Sequence, residues 1–389
     1  MKVIQTQRSF DVVVVGAGPA GLSAASAIAK KGFNVVIVEK NSEIGSPVHT
    51  SGGSWIKEIK EFGIPPDCYN PIKNITFCSP SNQAEFLLHK DYACVLDVRK
   101  TYQHLACQAA SDGSEIQLNM RVTKPLVDNH RVVGVHAVKM RDKIDLKSEV
   151  TIDASGFSAI IARNLGIKNK WLRYAVGAEY EAFVENLDKT TATLFVGNTF
   201  TPSGYGWIFP VSENRARIGI GVPKPKITTS PHIYLEKFIR DKTSSLIAPL
   251  GKITPIEYHY GFIPDEGPIK KAVYNGLISV GDSAGQLSPL HGEGIRFAIT
   301  FGKLAGQTAV NAINQRNTSA RFLEEYDRKW KSAVERNFNI AQKIQRKLST
   351  YSDEQWNDAV NKLKGLKPEE FTQLLRCEVS LKLLLKIMV

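Results

Sequence analysis

The 389-residue chain is 43% apolar and 23% charged, the balance of a globular protein with room for two domains, and no apolar run nears the roughly eighteen residues of a membrane-crossing helix. Its net charge of +12 favours acidic partners, such as an anionic membrane surface or an acidic electron carrier, while no nucleic-acid-binding motif accompanies that charge. Five cysteines without C-x-x-C or metal spacing, and an N-terminus (MKVIQTQRSF) without a secretory apolar core, lead to the expectation of a cytoplasmic protein with reduced thiols and no metal site.

Phe10 to Lys40 reads as strand, glycine turn, helix and second strand. Phe10–Val15 is apolar and β-branched, the pattern of a strand buried on both faces. Gly16, Gly18 and Gly21 form G-x-G-x-x-G where that strand passes into a helix. The spacing assigns the first glycine to a tight turn, the second to close approach of a pyrophosphate and the third to packing of helix on strand. The helix N-terminus adds unpaired N–H groups and partial positive charge. Glu39 closes the second strand, where an acid accepts hydrogen bonds from a ribose diol. The unit therefore binds a dinucleotide. An acid at 39 disfavours NADP and leaves NAD and FAD open.

Asn41–Trp55 is rich in Gly, Ser and Pro, which predicts a loop with little regular structure lying along the cofactor. Residues 56–90 read as short strands and turns, broken by Pro65, Pro66, Pro71 and Pro80. Asp97–Gly113 has helical periodicity with Asp97 as N-cap. Arg99 falls in its first turn, where a cation opposes the helix dipole and calls for an anion such as phosphate. Residues 116–153 alternate as strands, with Val150–Asp153 returning to the parallel sheet and a short helix from 159 to 165 after it. Tyr174–Pro223 breaks the β-α-β rhythm and predicts an inserted antiparallel sheet. A helix over Pro231–Asp241 and a strand over Thr254–Phe262, carrying His259, follow. Leu277–Val280 returns to the parallel sheet and ends on Gly281-Asp282, on the same rim as Gly16. A helix is expected from Gly294 to Ile313. The remainder reads as helical: Arg321–Lys347, Pro368–Cys377 and Glu378–Met388, the last (SLKLLLKIMV) docked on the protein or lying on a membrane surface.

Three motifs now stand in order: G-x-G-x-x-G with Glu39, D-A-S-G at Asp153–Gly156, and the Gly281-Asp282 strand end. This order resembles the FAD-dependent hydroxylase-like flavoproteins over almost the whole chain. A narrower resemblance sits in the inserted sheet. Tyr205-Gly-Trp207-Ile-Phe209-Pro210, eight residues, then Gly219-Ile-Gly221 is similar to Y-x-W-x-F-P-x(7–8)-G-x-G of the geranylgeranyl reductase family, whose archaeal members reduce digeranylgeranylglycerophospholipids. Glu43–Val48 and Pro289–Ile295 are similar to that family's flavin loops.

The resemblance implies an α/β (α+β) fold: a split Rossmann-like FAD domain (1–60, 88–172 and 268–313), an inserted antiparallel substrate sheet (61–87 and 173–267) and a C-terminal helical region (314–389). It implies FAD, held by Gly16, Gly18, Ala20 and Gly21, by Glu39 and Lys40 at the adenosine ribose, by Thr50, Ser51 and Gly53 in the long loop, by Arg99 near the pyrophosphate, by Val122 and Asp153, by Gly281 with Asp282 on the ribityl hydroxyls, and by Gly292, Gly294 and Ile295 at the flavin. It implies an oxidoreductase that reduces carbon–carbon double bonds of a geranylgeranyl chain in membrane-lipid synthesis, by hydride transfer from reduced flavin. The implied partners are an isoprenoid lipid or prenyl (di)phosphate, an acidic donor such as ferredoxin, since no second nucleotide motif is visible, and a peripheral membrane contact.

Strand alternation sends Tyr205, Trp207 and Phe209 to one face, either an apolar wall for a long isoprenoid or simply domain core. His49 and His291 lie in loops expected at the flavin, as proton relays or as structural loop histidines. One departure stands out: Thr50 occupies the position, two residues after S-P-V, where the family usually has a cysteine. Two competing readings share the fold: a flavin monooxygenase acting on an apolar substrate, and a non-redox isoprenoid cyclase or carrier.

Overall fold

The computed structural model describes residues 5–88, 92–241 and 244–378, together with Leu383. Strand Gln5–Val15 lies at the centre of the first sheet. It pairs in parallel with Asp142–Asp153 on one side and Val35–Val38 on the other, and Leu277–Ser279 joins Asp142–Asp153 from outside. Val12–Val15 and Val35–Val38 are buried on both faces, as an unbroken β-branched run requires between helical layers. The first strand begins at Gln5 rather than Phe10, because Gln5–Phe10 pairs with Lys143–Ser148, the lower half of the long Asp142–Asp153 strand.

Helix Pro19–Ala29 covers this sheet, and helix Ile295–Asn314 lies parallel on it. The approach is very close. A Cβ at Gly302 would stand 2.3 Å from the Ala20 carbonyl oxygen, and one at Gly306 2.5 Å from that of Ala24. Only glycine permits this packing, and it turns both helix N-termini toward the carboxyl rim of the sheet, where ligands of open α/β sheets bind.

The second sheet runs in the order Ile253–Pro264, Tyr174–Val184, Arg215–Lys224, Tyr205–Pro210, Thr191–Val196, Asn74–Cys78 and Gln83–Leu87. It is antiparallel except where Thr191–Phe195 pairs with Asn74–Cys78. Two stretches differ from the sequence reading. Gly53–Trp55, within the expected loop, is a strand paired with Ala93–Leu96, and Ile56–Glu61 is a helix rather than strands and turns. Six residues are too few for periodicity to register. Burial of Ile56 and Ile59, three apart on one face, holds that helix.

Helices Ala320–Leu348, Asp353–Leu363 and Pro368–Leu375 cross from the first sheet to the second. The middle one is closed by a capping box between Ser352 and Gln355. Phe371 stacks on Phe86 of the second sheet with centroids 3.8 Å apart. Of the apolar tail Glu378–Met388, Leu383 is buried at 2% exposure, and apart from it and Glu378 the stretch lies outside the described residues. No described helix is long and apolar enough to cross a membrane.

Candidate active site

At the first turn each glycine has a separate physical role. Gly16 has φ +105°, and a Cβ there would stand 2.4 Å from the Ala154 carbonyl oxygen. A Cβ on Gly21 would stand 2.0 Å from the Gly16 carbonyl oxygen. Gly18 faces open space, as a residue over which a phosphate passes must. The helix behind it has no side-chain cap, so its first N–H groups are available to an anion. Glu39 follows strand Val35–Val38. The Ala17 and Asn41 N–H groups donate to its two carboxylate oxygens, each at 2.9 Å, and fix it with lone pairs to spare for a diol. Lys40 beside it is exposed.

Three expected cofactor contacts are placed differently. Asp153 is fully buried and receives four donors: Ser155 Oγ at 2.5 Å, Ser155 N at 3.2 Å, and Ile161 N and Ala162 N at 3.0 Å each. Its acceptor capacity is spent on capping helix Ile160–Asn164, and its neighbours Ala154 and Gly156 face the cavity instead. Burial pushes its carboxyl above the usual range against those hydrogen bonds. Arg99 lines a separate polar cleft rather than the cavity. Its anions are carboxylates of the protein, Glu257 Oε2 at 3.2 Å and Glu43 Oε1 at 3.6 Å. The Val122 side chain packs in the core with Val13, Val15 and Val36.

A cavity of about 770 Å³ opens at the rim, within the range of small-molecule sites. Of the expected cofactor residues, Gly18, Ala20, Thr50, Ser51, Gly53, Gly281, Asp282, Gly292, Gly294 and Ile295 line it. Helix Ile295–Asn314 points its N-terminus at this end and has no side-chain cap. The Asp282 carboxylate accepts no hydrogen bond from any described residue, and burial pushes its pKa up to about 6. Two uncapped helix N-termini, an unpartnered acid and open space over Gly18 together fit a dinucleotide with a polyhydroxyl chain between its halves. FAD answers that description and NAD does not.

Loop 288–294 is held from several sides. Glu293 forms a paired contact with Arg296, at 3.0 Å to each oxygen, and Ser288 Oγ lies 2.9 Å from Cys377 Sγ. His291 Nε2 is bound to the Leu375 carbonyl oxygen, and the Tyr205 hydroxyl donates to the His291 carbonyl at 2.5 Å. His49, on an exposed loop, has Nδ1 2.8 Å from the Tyr260 carbonyl oxygen. Both histidines line the cavity. A carbonyl only accepts, so each ring donates from the nitrogen concerned, and among the described residues no carboxylate contacts either ring.

Tyr205, Trp207 and Phe209 form one wall of this cavity, with successive ring centroids 5.6 and 6.5 Å apart. The Trp207 indole lies on a bed of glycine. A Cβ at Gly219 would stand 2.3 Å from the indole, and one at Gly177 or Gly221 3.5 or 3.6 Å from it. This is the physical reason for G-x-G beside Y-x-W-x-F-P: strands Tyr205–Pro210 and Arg215–Lys224 pair Trp207 with Gly219. Gly219→Ala is expected to push the indole into the cavity, cost ~1–3 kcal/mol in urea unfolding, and shift Trp207 fluorescence. An unchanged emission spectrum counts against this geometry. The opposite wall and far end come from the C-terminal helices, through Leu348, Trp356, Phe371 and Leu374. No thiol replaces the family cysteine at Thr50. Cys94 does line the cavity, but burial raises its pKa and keeps it a thiol.

Sequence reasoning missed a charged group behind the aromatic wall. Glu179, Glu181, Arg217 and His259 are all at most 4% exposed. Glu179 Oε2 accepts the Trp207 indole N–H at 2.8 Å, and Glu179 Oε1 lies 3.0 Å from His259 Nδ1. Arg217 donates to Glu181 at 3.0 Å and to the carbonyl oxygens of Ser51 and Leu96 at 2.9 Å each. The sequence did carry a signal: acids at 179 and 181, arginines at 215 and 217, and Glu257 with His259 each share one strand face at period two.

Residues 174–260 match the family model described as geranylgeranyl reductase catalytic domain, and residues 11–56 that described as FAD binding domain. The chain is 37% identical over 329 residues to digeranylgeranylglycerophospholipid reductase of Methanocaldococcus jannaschii, covering 83% of this chain and 82% of that protein. It is 32% identical over 343 residues to digeranylgeranylglycerophospholipid reductase 1 of Methanopyrus kandleri, covering 86% and 89%. Among solved structures, a geranylgeranyl bacteriochlorophyll reductase-like protein from Thermoplasma acidophilum aligns with a TM-score of 0.88 at 26% identity, covering 98% of this chain and 96% of that one.

Proposed function

Because this chain belongs to the geranylgeranyl reductase family, we propose that it is an FAD-dependent oxidoreductase that saturates carbon–carbon double bonds in the geranylgeranyl chains of a membrane lipid. The observation that carries this reading is one cavity with two kinds of wall. The end at Gly18, Asp282 and Gly294 suits a dinucleotide, and the face at Tyr205, Trp207 and Phe209 suits a long apolar chain.

Reduced FAD bound there supplies the hydride. The protein's own residues do the rest. Asp282 holds the ribityl hydroxyls, Glu39 the adenosine ribose, and the uncapped helix N-termini the diphosphate and the charge of the reduced ring. The aromatic wall and the C-terminal helices align the chain and exclude water. The net charge of +12 supports an acidic donor protein as the source of electrons. A membrane contact has support in strand Ile253–Pro264, which edges its sheet. It exposes Ile256, Tyr258, Tyr260 and Phe262, and the last two also line the cavity.

The test is anaerobic. The holoprotein is reduced with dithionite and mixed with vesicles containing an anionic lipid and a geranylgeranyl glycerolipid. Gain of two hydrogens per double bond, with protein floating alongside the vesicles, is the expected result. Oxygen incorporated only after air is admitted would make the protein a monooxygenase. An unchanged lipid mass would make it a non-redox isoprenoid cyclase or carrier.

A further inference from the structure

Saturating an alkene takes a hydride at one carbon and a proton at the other, and the proton needs a route into a cavity whose substrate wall is aromatic. Neither cavity histidine in the flavin loops contacts a carboxylate among the described residues. Behind the aromatic wall the situation is different. Glu179 and His259 stand opposite each other across strands Tyr174–Val184 and Ile253–Pro264. Both line the cavity, and both are nearly sealed from bulk solvent at 3% and 4% exposure. From His259 the chain of contacts continues: Nε2 lies 3.1 Å from Glu257 Oε2. The Glu257 side chain is 33% exposed and lines a separate polar cleft of about 170 Å³, with Arg99, Lys100 and Arg215. Three titratable groups, 3.1 and 3.0 Å apart, thus bridge a wet cleft and an apolar cavity.

We propose that Glu257, His259 and Glu179 form a proton relay that carries the second hydrogen of each reduction from this cleft to the alkene. The proposal rests on the reductase reading above. In the step, the alkene π bond breaks. A hydride, two electrons with one proton, passes from the reduced flavin to one carbon and leaves the flavin oxidised. The other carbon forms its C–H bond with the proton that the Glu179 carboxylate takes from His259 Nδ1 and passes on as the hydride arrives. His259, left neutral, is recharged from water in the cleft through Glu257 at Nε2. The Trp207 indole N–H, on the other Glu179 oxygen, holds the carboxyl plane beside the aromatic wall.

The electrostatics shift the ring toward its charged form. Burial works against the His259 cation, but the carboxylates at its two nitrogens outweigh burial and raise its pKa. Its hydrogen bond to His259 in turn lowers the pKa of Glu257, with Arg99 and Arg215 adding to the effect. The other charged groups around the pair are Glu181 from the Tyr174–Val184 strand, Arg217 from Arg215–Lys224, and Glu43 and His49 from the loop before Gly53. Of these, Arg217 lowers the His259 pKa, without reversing the rise. The proton on His259 is therefore held to higher pH than on an ordinary imidazole and is lost as pH climbs through the raised value. Arg217 and Glu181 hydrogen-bond each other, and Arg217 also donates to backbone carbonyls, while its Nε lies 3.9 Å from Glu179 Oε1.

The experiment follows single-turnover reoxidation of the anaerobically reduced holoprotein by a geranylgeranyl lipid, from pH 5.5 to 9, for wild type, Glu179→Gln and Glu257→Gln. Lipid affinity of the oxidised holoprotein is measured alongside. Glu179→Gln keeps an acceptor for Trp207 and is expected to slow turnover ~100-fold or more with lipid affinity within about twofold, the range for a general acid. Glu257→Gln is expected to move the alkaline fall in rate to lower pH and to regain rate in formate buffer. A Glu179→Gln rate equal to wild type, or a Glu257→Gln profile that coincides with wild type, overturns the relay and leaves the reductase reading intact. No lipid reduction by the wild type overturns both. Should Glu179→Gln fail to fold, the half-exposed Glu257 position decides alone.

Discussion

Asp282→Asn makes the flavin-free protein more stable at pH 8 while weakening its hold on FAD. The wild-type carboxyl is moved by burial from 3.8 to about 6. As pH rises the unfolded chain ionises first. The folded state therefore loses stability between about pH 4 and pH 6 and bears the full cost above that. The cost is up to about 3 kcal/mol, reduced by whatever screening cavity water supplies. The amide has no charge to bury. Urea unfolding of the flavin-free variant should thus be flat across this window, equal to wild type near pH 4 and stronger at pH 8. FAD affinity should fall ~10–100-fold, since hydrogen bonds to a charged acceptor contribute ~1.5–3 kcal/mol. Parallel pH profiles for the two proteins would show that Asp282 does not carry the strain assigned to it. The pairing of a stability gain with a binding loss is what a polar group kept unpaired for a ligand produces.

How far the site was legible follows from how local its determinants are. The turn at Gly16 and Gly21, the acid at Glu39 and the strand end at Asp282 are each fixed by a few neighbouring residues, and they stand on the rim where the spacing puts them. The aromatic strand was legible through period two, although alternation alone left a core packing open. The wall faces the cavity because Gly177, Gly219 and Gly221 leave the indole a flat seat. Asp153 and Arg99 have protein partners at the atoms expected to meet the cofactor, for one shared reason. A motif gives a residue's address but not the competition for its hydrogen bonds. Helix Ile160–Asn164 claims the first, and Glu43 and Glu257 claim the second, the latter 158 residues away. The relay group is harder to read because its period-two signal is split: Glu257 and His259 share one strand, and they meet Glu179 only through the pairing of Tyr174–Val184 with Ile253–Pro264.

Arg217→Met is expected to lower the stability of the whole protein by about 3–5 kcal/mol, the usual cost of removing one partner from a buried ion pair. Arg217 is 2% exposed, and its guanidinium does two things together. It neutralises Glu181 from within the second sheet, and it donates to the Ser51 and Leu96 carbonyl oxygens, which belong to the loop and strand at the cofactor end of the cavity. Its removal leaves a carboxylate facing only the half-exposed Arg215, and two carbonyls short of a donor. The planar fork matters as much as the charge. A lysine presents one compact ammonium and cannot serve the carboxylate and both carbonyls together, so Arg217→Lys should recover less than half of the loss. Adding Glu181→Met to Arg217→Met should return part of the stability, because the stranded charge is then gone, but not the FAD affinity, because the Ser51 and Leu96 carbonyls still lack their anchor. Urea unfolding and flavin titration of the single and double variants separate the two effects. Full recovery of both by the double variant would mean that Arg217 only balances Glu181 and does not tie the substrate sheet to the cofactor loop.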